Sequence, residues 1–372
     1  VGRPRPLHPG AWWLWALGLA TAASRTTNPV LLLVVVAVVA FVVSSRRTDA
    51  PWARGFKVYV VLGLVVIAVR VVFRVLFDGQ TGGHVLLTLP ELSLPSAAAG
   101  IRVGGAVSLE GVLAAVYDGL RLATLLLCVG AANVLANPKR LLAALPAALH
   151  EVGVAVTVAL SVAPQLIESG QRVRAARRLR GEGGRKPRVL REIALPVMTD
   201  ALDRSLLLAA AMDARGYGRV ADVPRRQRAL TGSLLLAGLL AICIGTYGLL
   251  DSTAPRSLGL PMLLGGTAVG WGGVVLSGRR VPRSRYRPDP WATPEWTVAG
   301  VGVVVAAAVI AVSAVDPTAL YPSLQPLRWP ALPALPALAI VLGALPGWLA
   351  PPARVRPVGP RRITRPAMEP AA

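Results

Sequence analysis

Hydrophobic residues in this chain come in long unbroken runs, with the polar residues gathered between them. Four such runs lie in the first part of the chain, Ala11–Ala23, Val30–Val43, Val58–Phe77 and Gly111–Ala136. Four more lie in the last part, Leu230–Leu250, Leu258–Leu276, Val298–Val315 and Leu332–Leu349. A helix needs ~20 mainly apolar residues to cross a bilayer. The pattern therefore predicts an all-α polytopic membrane protein of about eight transmembrane helices.

The segment between the two sets, residues 137–229, has a different pattern. It holds two amphipathic, helix-forming runs, PQLIESGQRVRAARRLRGEG and TDALDRSLLLAAAMDARGYG. In the second, Met198, Leu202, Ser205, Ala209 and Met212 recur at helical spacing along one face. Asp200 and Arg204 are four residues apart and are expected to pair on the solvated side. The first run places Leu166, Gly170 and Val173 on one face and offers Glu168 and Arg172 as a pair. Each run closes on Arg-Gly: Arg180-Gly181, and Ala214-Arg215-Gly216. The arginine meets the negative end of the helix dipole, and the glycine suits the left-handed residue that stops a helix. One such end is an ordinary helix stop. Two, 35 residues apart in one interlude, predict a pair of presented guanidinium groups for an acidic groove on a partner.

Charge refines this picture. Hydrophobic residues make up 54% of the 372 and charged residues only 16%, yet the formal net charge is +22. The excess is mostly arginine in the loops between spans and at the ends, as the positive-inside rule requires, so no nucleic acid partner is implied. The basic loop after Val43, Asn137-Pro138-Lys139-Arg140, the loop at 278–296 and the tail are assigned to the cytoplasm, which puts both termini inside. Residues 78–110 go to the outer side. The expected organisation is an N-terminal membrane domain (1–136), a cytoplasmic helical region (137–229), a C-terminal membrane region (230–350) and a disordered basic tail (351–372). Val152–Ala163 is too short to span and is expected along the membrane boundary, and Asn-Pro is expected to start a helix over Leu141–Leu149. The preference for arginine over lysine, with so much alanine, valine, proline and glycine, suggests a GC-rich bacterial genome, and the expected location is the bacterial plasma membrane.

Other candidate chemistry is thin. Cys128 and Cys243 sit in apolar runs and are read as packing residues. His8, His84 and His150 have no ligand spacing, so no metal site is expected. GEGGRK at 181–186 lacks the spacing of a phosphate loop, so no ATP site or other cofactor is expected on this chain. Arg70 and Arg74 share a helical face, and Asp118 and Arg121 are placed to pair.

On LHPGAWWLWALGLATAASRTTNPVLLL, EGVLAAVYDGLRLATLLL, the run from Leu145 to Gly181 and TDALDRSLLLAAAMDARGYG, the chain resembles the transmembrane (T) component of energy-coupling-factor transporters, the EcfT/CbiQ type. The resemblance covers residues 7–250. It implies a non-enzymatic scaffold in an importer of vitamins or transition-metal ions. The implied partners are two cytoplasmic ABC-type ATPases, which hold the ATP, and one membrane-embedded substrate-binding (S) component. It also implies that Arg180, Gly181, Ala214, Arg215 and Gly216 dock into the ATPases, and that Val152–Ala163 contacts the S component. Two features depart from the family pattern. Leu179 stands where the family has a small residue, and residues 251–372 extend past its usual length. The rival readings are a polytopic membrane enzyme acting on a lipid-linked or anionic substrate, and arginines that only hold an anionic lipid surface.

Overall fold

A computed structural model describes residues 7–47, 55–77, 84–92, 103–144, 150–181, 187–217, 224–251, 255, 258–279 and 290–351. The basic tail beyond 351 and the Gly183-Gly184 and Lys186 break lie outside the described residues, as do most of the loop at 278–296 and the Leu145–Leu149 end of one expected helix. The chain is an all-α polytopic membrane protein with one small sheet. Among the described residues, seven helices are long and apolar enough to cross a membrane. It divides into two compact units, one formed by residues 1–141 with 289–372 and the other by residues 142–288. The sequence grouping of 230–350 as one region is thus split between the two.

In the first unit, α1 (Pro9–Ser24), α2 (Pro29–Arg46), α3 (Phe56–Phe77) and α4 (Leu109–Leu135) follow the predicted runs. At 16 residues, α1 is shorter than a full span. His8 and Asn28 cap α1 and α2, their side chains accepting from the Gly10 and Val30 amides. The short α5 (Pro138–Ala143) starts at the Asn-Pro signal, with Asn137 Oδ1 accepting from the Lys139 amide at 3.0 Å. The segment assigned to the outer side holds an antiparallel hairpin, β1 (Val85–Leu92) and β2 (Val103–Ser108), which the apolar runs do not predict. It is fastened to α4 by Glu110, which accepts from the His84 amide and lies 2.8 Å from His84 Nδ1. Arg121 does not pair with Asp118. It donates to the Ser24 carbonyl at the C-terminal end of α1, where a cation is favoured.

The same unit takes in the far end of the chain: α10 (Thr293–Val315), a 3-10 turn (Pro317–Leu320), α11 (Ala334–Leu342) and α12 (Pro346–Leu349). The last predicted span is therefore two short helices instead of one continuous crossing. These elements are bound tightly to α1 and α2. Trp15 Nε1 donates to the Gly343 carbonyl (2.9 Å), Thr26 Oγ1 to Leu320 (2.6 Å) and Asn28 Nδ2 to Ala331 (2.7 Å). Arg46 donates to the carbonyls of Gly347 and Trp348. Glu295, 1% exposed, accepts from the Ala292 and His8 amides at the positive end of α10. Trp15, Leu19, Val35, Val39, Val298, Val305 and Ile340 fill the shared core.

α1 and α10 cross at two glycines. A Cβ on Gly302 would lie 2.6 Å from Trp15 Cα, and one on Gly18 would lie 2.1 Å from the Gly302 carbonyl oxygen. Both obstacles are backbone, so any side chain must push the helices apart. Gly302→Val is expected to cost about 3 kcal/mol through overpacking, read as a lower thermal midpoint in detergent. Gly300→Val, on the same helix with open space at its Cβ position, is the control and should leave the midpoint nearly unchanged.

The second unit contains α6 (His150–Leu179), α7 (Pro187–Asp213), α8 (Arg225–Leu250) and α9 (Leu260–Arg279). Here two expectations are corrected. Val152–Ala163 is not a short boundary segment: it continues through Pro164 into the charged stretch, as the sequence suggests, and Val152–Leu179 is long and apolar enough to cross a membrane. α7 begins at Pro187, earlier than the start near Leu195 that the sequence pattern suggests, and carries Pro196 inside it. α8 and α9 pack closely through glycines, with a Cβ on Gly238 falling 2.6 Å from the Gly270 amide nitrogen.

Candidate functional site

Both Arg-Gly pairs end helices as their local chemistry demands. Gly181 has φ +78° and Gly216 has φ +74°, a region that only glycine enters at little cost. At the second end the Gly216 amide donates to the Asp213 carbonyl (2.8 Å) and the Tyr217 amide to the Met212 carbonyl (3.0 Å), the paired bonds of a Schellman cap. At the first, the Gly181 amide donates to the Arg178 carbonyl (3.1 Å), the matching bond of the same motif. Arg180 and Arg215 therefore occupy equivalent positions, each the residue before a left-handed glycine, and both are exposed. Leu179 is 90% exposed, so the bulky residue in the first motif crowds nothing within this chain.

The helices that carry these ends are joined along a polar seam. Arg204 Nη1 donates to Gln165 Oε1 (3.4 Å), Ser169 Oγ donates to Asp200 Oδ2 (2.6 Å), and Arg177 pairs with Glu192. Partners advance along α6 as they retreat along α7, so the two helices run antiparallel. Arg172 adds a contact to Asp200 at 3.6 Å, and Arg204 Nε bonds Asp200 Oδ1 within α7 at 3.0 Å. The Ser169 hydroxyl, followed by the Arg204 and Arg172 guanidinium groups, holds the Asp200 carboxyl below its ordinary range despite partial desolvation. The seam thus keeps its negative charge at neutral pH.

The antiparallel pairing sends the two arginines in opposite directions. Arg180 lies 15 residues beyond Gln165 on α6, and Arg215 lies 11 beyond Arg204 on α7. At ~1.5 Å per residue the two ends are about 40 Å apart.

The seam reverses one sequence expectation. Asp200 and Arg204 do pair, yet their side of α7 faces α6 instead of water. The face expected to be covered is bare: Leu195, Met198, Leu202 and Leu206 are 62–70% exposed. Arg172 turns to Asp200, and Glu168 is not its partner. Sequence reasoning missed Ser169, although a signal was present. Glu192, Pro196, Asp200 and Arg204 recur every four residues, a second stripe as regular as the apolar one.

The sequence model of the CbiQ family, described as cobalt transport protein, matches residues 4–225. The chain belongs to the CbiQ family. Among curated proteins, none matches it. The CbiQ region takes in α1 to α7 and both Arg-Gly ends, and it stops where α8 begins. It is shorter at its C-terminal side than the likeness read from sequence, which reached residue 250. Membership gives the chain a transport role, as a membrane component that acts in a complex. α8 to α12 lie beyond the CbiQ match, although α10 to α12 complete the core of the first unit.

Proposed function

We propose that this CbiQ-family protein is the energy-coupling scaffold of a bacterial plasma-membrane importer, with both termini in the cytoplasm. Arg180-Gly181 and Ala214-Arg215-Gly216 each dock into one of two ABC-type ATPase subunits, which bind and hydrolyse the ATP. The cargo, a transition-metal ion such as cobalt or a vitamin, is captured by a separate membrane-embedded component. The apolar residues of α6 before Pro164, together with the bare Leu195–Leu206 face of α7, offer that component its contact.

The observation that carries this reading is the antiparallel hairpin with one exposed arginine, before a left-handed glycine, at each end. Such an object suits two equivalent acidic sockets far better than one site or a lipid surface. A guanidinium in an acidic groove forms paired, charge-assisted hydrogen bonds worth roughly 1.5–3 kcal/mol. The test is co-purification with the ATPase subunits from membranes. Arg180→Glu or Arg215→Glu alone should weaken retention and lower ATP-driven uptake. The double variant should release both ATPases, while Arg174→Glu, an exposed change on the same helix, should have little effect. Retention of ATPases and of uptake by the double variant would sink the proposal.

A further inference from the structure

We propose that the Ser169–Asp200–Arg204 cluster is a positioning clasp that sets the distance between the two arginine-bearing ends, so that a push on one end is carried to the other. This rests on the coupling reading above and names the residues through which α6 and α7 act as a single rod.

The argument begins with what holds the two helices together. Packed helices normally join through apolar faces, but here much of the apolar surface of α7 is turned away. The cross-helix bonds are polar and concentrated on one carboxylate. Asp200 accepts from Ser169 of α6 and from Arg204 of its own helix, and Arg172 of α6 approaches within 3.6 Å. Ser169 is 4% exposed, so its hydroxyl is committed to this contact. Arg204 serves both helices by donating to Gln165 as well. An apolar seam can slide by small repacking steps. A seam fixed by directed bonds has one register, because a shift of one residue turns Asp200 about 100° away from Ser169. Arg177–Glu192 holds the same register nearer the first end. From Arg204 the chain continues for 11 residues to Arg215 without a proline or glycine, so nothing in that arm absorbs a displacement.

An exchange of the two α7 charges, Asp200→Arg with Arg204→Asp, tests the clasp. It keeps an ion pair within α7 and the same composition. Across the seam, however, it sets the introduced guanidinium against Arg172 and removes the acceptor from Ser169. Spin labels on cysteines placed at Arg178 and Asp213, with Cys128→Ala and Cys243→Ala, report the separation of the two ends in the full chain reconstituted with its ATPases. The native chain should give one narrow distance distribution. The exchange should broaden it roughly twofold and lower ATP-driven uptake about tenfold, the size expected for a coupled network contact, while the ATPases remain bound. Ser169→Ala, which removes one hydroxyl and threatens folding least, should shift both readouts in the same direction by less. An unchanged distance distribution in the exchange variant overturns the clasp, as does a broadened one with full uptake. Neither result depends on whether Arg180 and Arg215 are the docking groups, which the charge reversals decide separately.

Discussion

A chain ending at residue 289 is expected to lose the fold of its first unit, even though it contains the entire CbiQ-matching region. Without α10 to α12, the Trp15 indole, the Thr26 hydroxyl and the Asn28 amide lose their partners at Gly343, Leu320 and Ala331. Lipid can replace the apolar contacts of Val35 or Val39, because acyl chains are as apolar as a helix face. It offers no acceptor to an indole N–H, and each polar group stranded in hydrocarbon costs several kcal/mol. Thr26 and Asn28 lie in the link between α1 and α2, and Arg46 at the end of α2, where water can serve them, so the stranded indole and the lost packing of α10 to α12 carry most of the cost. Fluorescence-detected size exclusion should show a sharp peak for the full chain and aggregated or degraded material for the truncation. A truncated chain that elutes sharply and melts at the full-length temperature would refute the expectation.

Inserting two alanines after Ala210 should abolish coupled uptake with little loss of stability. Alanine is the best helix former, so α7 stays helical, and the seam at residues 192–204 is untouched. Everything beyond the insertion rotates by about 200° and advances about 3 Å. Arg215 then faces the opposite side of the rod. Seven alanines restore the face to within about 20° but lengthen the arm by about 10 Å. Two sockets at a fixed spacing should reject both insertions. Tolerance of seven but not two would mean that orientation alone matters. Uptake unaffected by two residues would remove Arg215 from the mechanism. ATP-driven uptake in proteoliposomes, with melting temperature as the control, reads all three.

The parts of this structure that were legible in the sequence are the local ones. Continuous apolar runs give α2, α3, α4, α8, α9 and α10 because span length and hydropathy are properties of one segment. The Arg-Gly ends were equally readable, since a left-handed cap needs glycine and little else. Pairing between segments was not readable. Gly18 and Gly302 look like any glycines in apolar helices, and only their meeting gives them a role. The orientation of α7 escapes the sequence for a related reason. In water an apolar stripe predicts the buried side, but in a membrane complex that stripe can face lipid or a partner while polar residues make the internal seam. The spanning length of α6 was hidden because its apolar part is only a dozen residues long, and the charged residues that complete the helix beyond Pro164 do not look like part of a span.

In the first unit the early helices α1 and α2 pack with the late helices α10 to α12, and the second unit lies between them in sequence. This sets an order of events during synthesis. α1 and α2 enter the membrane early, but Gly343 and Leu320 emerge from the ribosome some 300 residues later. The α6–α7 hairpin, made of neighbouring segments, closes long before that. An interrupted chain therefore carries a finished hairpin while the Trp15 indole and the Asn28 amide still lack their partners.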